Sequence, residues 1–323
     1  MVVAANQGTR SRLQGVLPGA VPAPAVSDVV LVTGAAGFAG GHLVERLRHS
    51  QNHVVAWTRQ TVDLLDRDRV RSAIRELRPS QIYHCAGMTH VAKSWRDTAQ
   101  PLEGNVLATE HLFDALRREG IRCRVLVPGS ATVYAASSEP ISEDGPIAPT
   151  SPYAISKLAQ EQLALRAIQE DGLDLVLTRS FNHTGPRQTP EFVAPSMARQ
   201  IALIERGQLE PVIKVGNLDA QRDVTDVRDV VRAYVALMQS GRTGVVYNVA
   251  SGVARSIRSI LDALVSRSKL PVKIEVDQAR MRPNDVPVVV GNYSRLKAAT
   301  GWRPEISFDQ TLDDLLNYWR EHP

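Results

Sequence analysis

Short apolar runs alternate with stretches of helical period along most of this chain. Asp28-Val29-Val30-Leu31-Val32-Thr33 is apolar between its ends and runs into glycines, the pattern of a strand buried on both faces. A helix is predicted over about 37–48, and the beat repeats: strand 53–57, helix 67–77 behind the capping candidate Asp66, strand 81–85, helix 102–118, strand 124–127. This alternation predicts an α/β fold of right-handed βαβ units, with helices covering a doubly wound parallel sheet. Ser151-Pro152 reads as an N-cap with proline at the first helical position, so a helix should run to about residue 170, followed by a strand over 173–178. Beyond it, Pro186, Pro190, Pro195 and Pro211 break the pattern. Helices are still expected over 195–206, 227–239, 257–266 and 310–320, with a strand over 245–249. A smaller second unit built from noncontiguous C-terminal pieces is the expectation.

At 323 residues, 43% hydrophobic and 22% charged, the chain can bury a sizeable core. Its formal charge of +4 comes without a Lys/Arg-rich block, which argues against a nucleic-acid partner. No apolar run nears the roughly 20 residues of a membrane span. Cys85 and Cys123 form no CxxC, so neither a disulfide framework nor a metal site is expected, and a reducing cytoplasm fits. Residues 1–27 carry no acid and a Pro/Ala/Gly stretch, which reads as a flexible leader in preference to a secretory signal.

Two motifs carry chemistry. Gly34-Ala35-Ala36-Gly37-Phe38-Ala39-Gly40 follows the first strand and opens the first helix, where a tight turn and free N–H groups suit a dinucleotide's pyrophosphate. After the second strand stands Trp57-Thr58-Arg59 in place of an acidic residue; Arg59 suits a 2′-phosphate, so NADP(H) is favoured and NAD(H) remains possible. The second motif is Tyr153-Ala154-Ile155-Ser156-Lys157, which sets a phenol and an ammonium on one helical face. A nearby lysine charge lowers a tyrosine pKa and makes the phenol usable as an acid or base.

Ahead of that tyrosine lies Gly129-Ser130-Ala131-Thr132-Val133-Tyr134, at the sheet edge where open parallel sheets bind ligands. With a GxxGxxG loop, a serine 23 residues before the tyrosine, and YxxxK, the chain resembles the extended short-chain dehydrogenase/reductase family over about residues 28–321. The resemblance implies a Rossmann-type NAD(P)-binding domain (28–180 plus about 226–252) and a smaller C-terminal α/β domain for a nucleotide-sugar (about 181–225 plus 253–323). It implies cofactor contacts from Gly34, Gly37, Phe38, Ala39, Gly40, Asp63, Leu64, Ala86, Gly87, Asn105, Tyr153 and Lys157. Segments Arg179 to Pro186, Arg222 to Val227 and Arg280 to Pro283 are similar to substrate-binding segments, giving Asn182, Arg222 and Arg282 as contacts; arginine forks suit pyrophosphate oxygens. Ser130 would hydrogen-bond the reacting oxygen, with Thr132 as the fallback hydroxyl, Tyr153 would transfer its proton, and Lys157 would hold the ribose. A homodimer through helices 102–118 and 152–170 is also implied.

Within the family the reaction must be decided by other residues. Resembled dehydratases carry a carboxylate just after the serine, where this chain has Ala131 and Thr132, so dehydration is disfavoured. Cys85, His90 and His183 are read as packing or local hydrogen-bonding groups. The C-terminal segments, among them Val246 to Gly252 and Thr300 to Ile306, are similar to GDP-4-keto-6-deoxy-D-mannose reductases, which make GDP-D-rhamnose; Ala135 and Arg187 depart from that pattern where glycine is usual. The expectation is reduction of the C4 ketone of a nucleotide-linked 4-keto-6-deoxyhexose, GDP-linked by resemblance. An NAD-dependent nucleotide-sugar 4-epimerase is the alternative, and a noncatalytic dinucleotide-binding regulator a more distant one.

Overall fold

The computed structural model describes residues 28–50, 53–280 and 286–323. The leader reading for residues 1–27 and the assignment of Arg282 lie outside them. Strands β1 (Val29–Thr33), β2 (His53–Trp57), β3 (Gln81–His84), β4 (Arg124–Ser130), β5 (Asp174–Ser180), β6 (Asn182–Thr184), β7 (Val212–Val215), β8 (Gln221–Asp226), β9 (Val246–Val249), β10 (Ala254–Ser256), β11 (Lys273–Val276) and β12 (Val288–Val289) sort into three sheets. The largest has the order β2-β1-β3-β4-β5-β9 and is parallel throughout. The chain leaves β1 towards β2 and then crosses to β3, so the sheet has its switch point between β1 and β3, where a cleft opens at the carboxyl ends.

Both faces of this Rossmann-type sheet are covered, as its apolar strands require. On one face lie α1 (Phe38–Arg48), α8 (Val227–Ser240) and α10 (Ser294–Thr300), packing Leu43, Tyr234 and Leu296 onto Val32 and Val176. On the other, α2 (Arg67–Leu77), α5 (Ala108–Arg118) and α6 (Pro152–Asp171) bring Ile74, Leu112 and Ala164 onto Leu31 and Leu175. The remaining helices are the short α3 (Val91–Ser94) and α4 (Ala99–Pro101), then α7 (Val193–Glu205), α9 (Ile257–Val265) and α11 (Phe308–Glu321). The last three pack Ile201, Leu261 and Leu315 against Ile213 of β7 to make a second core. Beside it sits a smaller mixed sheet, β10-β8-β12 with β6 on β8, and the pair β7-β11.

Local chemistry sets the ends of the elements that matter. The Asp66 carboxylate accepts from the Arg69 N–H (3.0 Å) and starts α2. Ser151 accepts from the Ala154 N–H (3.1 Å) with Pro152 behind it, and Gly172 closes α6 in the left-handed region at φ 66°. Two expectations are corrected. The strand predicted over 124–127 continues to Ser130, because Gly129 and Ser130 still pair with Arg179 and Ser180 of β5. The single helix predicted over 102–118 is a six-residue π-helical segment, Leu102–Leu107, running into α5.

Candidate active site

At the end of β1 the backbone turns through Gly34 at φ 66°, where a Cβ would lie 2.6 Å from backbone atoms of Ala86; glycine lets the two walls of the cleft close to contact. Gly37 then starts α1 with no side-chain cap and no acidic residue in the first turn. The uncapped N–H groups and the helix dipole together fit a diphosphate. Phe38, Ala39 and Gly40 line the same cleft, as do Asp63, Leu64, Ala86 and Gly87. Arg59 stands at its rim with its side chain 81% exposed, 3.6 Å from Asp63.

Ser130, Tyr153 and Lys157 meet on the cleft floor. Ser130 ends β4, and Tyr153 lies in the first turn of α6 with its N–H donating to Ser94 Oγ of α3 (3.2 Å). Burial pushes the Tyr153 phenol up from its ordinary value, and the Ser130 hydroxyl pulls it partly back. This corrects the expectation that Lys157 lowers it. The Lys157 ammonium is engaged elsewhere, donating to Pro128 O (2.9 Å) and Gln160 Oε1 (2.8 Å). Burial brings Lys157 itself down to about 8. Two of its three protons are committed within the protein, which leaves one for a ligand. Thr132 Oγ1 lies 3.0 Å from Ser130 Oγ, so the two hydroxyls form a pair.

Behind the lysine runs a buried polar chain that the sequence reading missed. Gln160 Nε2 donates to Thr109 Oγ1 (2.8 Å), which in turn donates to Asn105 O (2.6 Å). With that hydroxyl proton committed, His84 must donate from Nε2 to Thr109 Oγ1 and accept at Nδ1 from Thr33 Oγ1, each at 2.9 Å. Thr33 Oγ1 finally accepts from the Ala86 N–H (3.2 Å). Burial drives His84 down to about 3, so the ring stays neutral and the relay keeps one direction. The head of Lys157 and the cradle wall at Ala86 are thereby tied to one another. The elements involved lie far apart in the chain, and only the apolar context of His84 and Thr33 at strand ends hinted at it.

Asn105 does not face the cleft. Its Oδ1 accepts from the Met88 N–H (2.9 Å) and its Nδ2 donates to Ser156 Oγ (2.8 Å), so it braces the Gly87-Met88 turn against α6. Asn182, Arg222, Lys214 and Arg280 also line the cleft, and Arg222 Nη1 donates to Val286 O (2.8 Å). Arg179, in the segment read as turning towards the substrate, is instead buried in a two-point ion pair with Glu161 of α6 (2.6 and 2.8 Å). Glu191, which lines the cleft, pairs with Lys93 of α3 (2.5 Å), and His90 Nε2 lies 4.0 Å from the same carboxylate. His90 Nδ1 caps α3 and His183 Nδ1 meets Phe181 O, both local roles, while burial pushes the Cys85 thiol up to about 12. The cleft encloses about 1170 Å³, more than one drug-sized ligand needs, so a dinucleotide and a second molecule fit together. Among the described residues no cluster of side chains could hold a metal ion, and no helix is long and apolar enough to cross a membrane.

A Rossmann-type sheet with an uncapped glycine cradle and a Ser/Tyr/Lys floor defines an extended short-chain dehydrogenase/reductase. The chain belongs to that family, in the branch whose family model is described as GDP-mannose 4,6 dehydratase and matches residues 57–315. It is 38% identical over 297 residues to GDP-6-deoxy-D-mannose reductase of Pseudomonas aeruginosa, covering 90% of this chain and 96% of that protein. Against GDP-mannose 4,6 dehydratase 2 of Arabidopsis thaliana identity is 28%, over 79% of this chain and 69% of the relative. Among solved structures, RMD from Pseudomonas aeruginosa complexed with NADPH superposes with a TM-score of 0.85 at 37% identity, covering 91% of this chain and 99% of that one. The UDP-glucose 4-epimerase of Thermus thermophilus in complex with NAD superposes at 0.80 with 29% identity, over 90% and 99%.

Proposed function

We propose that this protein reduces the C4 ketone of GDP-4-dehydro-6-deoxy-D-mannose to GDP-D-rhamnose, with NADPH favoured as reductant and NADH usable. The observation that carries this reading is the floor beside Ser130, which offers a hydroxyl pair and one phenol but no carboxylic acid. Dehydration would need an acid to expel water. Three acids line the cleft: Asp63 is engaged with Leu65 N and Arg59, Glu191 is held below its ordinary range by Lys93, and Glu103 belongs to the π segment and not to the β4 end that carries Ser130. The GDP-linked sugar is supported by the name of the Pseudomonas aeruginosa relative.

Bound in the cleft, the reduced dinucleotide supplies a hydride. Tyr153, kept protonated by burial, gives its proton to the oxygen of the ketone as negative charge develops there. Ser130 donates a hydrogen bond to that oxygen. Lys157 offers its remaining proton to the ribose. Residues 28–180 with about 226–252 would hold the dinucleotide; about 181–225 with 253–323, including Asn182 and Arg222, would hold the sugar nucleotide, in a homodimer.

The test is to incubate the purified protein with NADPH and a panel of nucleotide-linked 4-keto-6-deoxy sugars, and to assign C4 by NMR. Stoichiometric NADPH oxidation with the GDP-linked ketone is expected. Interconversion of UDP-hexoses without net NADPH use would overturn the reading in favour of the 4-epimerase, the second reading that the Thermus thermophilus likeness supports.

A further inference from the structure

Arg187 stands at φ 73°, in the left-handed region that glycine takes without strain. The reason is a turn: Gln188 N–H donates to Gly185 O (3.3 Å), with Pro186 and Arg187 at its centre. Proline second and a positive φ third is the type II arrangement, whose third position asks for glycine. An arginine here must gain something through its side chain. Its Nη2 donates to His42 Nδ1 (2.7 Å) and to Glu45 Oε2 (2.8 Å), both on α1. His42 Nε2 then donates back to Pro186 O (2.9 Å). Both ring nitrogens are thus committed, and the imidazole must be neutral with its proton on Nε2. One turn earlier on α1, Phe38 meets His42 edge-on (5.6 Å, 86°) and stacks on His183 (5.8 Å, 6°). Phe38 and His183 both line the cleft.

We propose that Arg187 is a positioning residue for dinucleotide binding: through His42 and Glu45 it clamps the middle of α1 to the segment after β6, and Phe38, edge-on to His42, carries that hold to the diphosphate-facing end of the helix. The clamp ties the wall that holds the cofactor to the wall that leads to the substrate. It rests on the dinucleotide reading of the cradle, and it explains why a strained arginine is kept where the backbone asks for glycine. The charged groups facing His42 are Arg187, Glu45 and Asp226, and burial together with Arg187 outweighs the Pro186 carbonyl and the two carboxylates, so that its pKa is lowered.

The test is Arg187→Gly, which removes the clamp and relieves the backbone. Dissociation constants for NADPH and NADH are measured by fluorescence, with thermal melts and an NMR titration of His42 alongside. The expected result is binding weakened about fivefold, the low end of a typical coupling between two sites. The Tm should hold or rise, because glycine suits the turn, and His42 should titrate higher than in the wild type. Arg187→Ala, which removes the side chain but leaves a Cβ at the positive-φ position, should bind no better than Arg187→Gly and should melt lower. Glu45→Gln added to Arg187→Gly should weaken binding no further, since the two act through one clamp. Equal dinucleotide affinity in wild type and Arg187→Gly would overturn the clamp alone. A wild type that binds neither dinucleotide would overturn the reading beneath it as well.

Discussion

Lys157 and Tyr153 are shifted by the same burial in ways that suit a reduction. A buried phenol resists ionisation, so Tyr153 keeps its proton until negative charge forms beside it. Tyr153→Phe is expected to lower kcat by about 10²–10⁴-fold with little change in KM, as loss of a general acid should; near-normal turnover in a steady-state assay would remove the phenol from this role. Lys157, brought down to about 8, is a cation at neutral pH and loses its charge just above it. Because its folded pKa lies below the unfolded value of about 10.4, the unfolded chain binds more protons across that window. This group's burial therefore costs stability at neutral pH, a cost that fades as pH rises through it. Activity should move the other way, with kcat/KM falling above pH about 8; a flat profile to about pH 10 would show that the charge is not needed. Ser130, Tyr153 and Lys157 were legible as residues because their spacing is a local fact. The Gln160, Thr109 and His84 relay was not, since it exists only once α5, α6 and β3 are packed.

Elements were legible where burial imposes a simple period. β1 and β5 read as apolar runs because both of their faces are covered, and α2 and α6 announced themselves through Asp66, Ser151 and Pro152. β6, β10 and β12 are two or three residues long, too short to show any alternation, and the second unit's sheets stayed hidden. The π segment was equally silent, because a wider turn over Leu102–Leu107 leaves the helical composition unchanged. Its consequence is concentrated in Asn105, which is fully buried and bonded to both Met88 N and Ser156 Oγ. Asn105→Ala leaves that N–H without a partner, at an expected cost of about 1–3 kcal/mol in urea unfolding with unchanged m-value. Dinucleotide affinity should fall with it, because the Gly87-Met88 turn forms one wall of the cradle. Unaltered stability would mean that the turn does not depend on this brace.

At the scale of the molecule, α6, the helix that bears Tyr153 and Lys157, also has an outward face that is left exposed among the described residues. Ile155 on α6 is 50% exposed, and Leu102 and Leu107, on the π segment packed beside it, are 46% and 45% exposed. The inner faces of these helices feed the core and the site, so the outer residues are not needed for the fold of one subunit. Apolar area in water costs about 25 cal/mol per Å², and a two-fold axis would bury the same patch on both copies. In the proposed homodimer this pairing would brace α6, and with it Tyr153, from the side opposite the cleft. Light scattering should give twice the 35.4 kDa of one chain for the wild type. Leu107→Lys combined with Ile155→Lys places two charges in that seam and should yield a monomer whose secondary structure is intact by circular dichroism. If assembly braces the catalytic helix, that monomer should lose turnover more than dinucleotide affinity, because the cradle of α1 lies on the other face of the sheet. A wild type that is monomeric and fully active would strip this helix face of any part in assembly or catalysis.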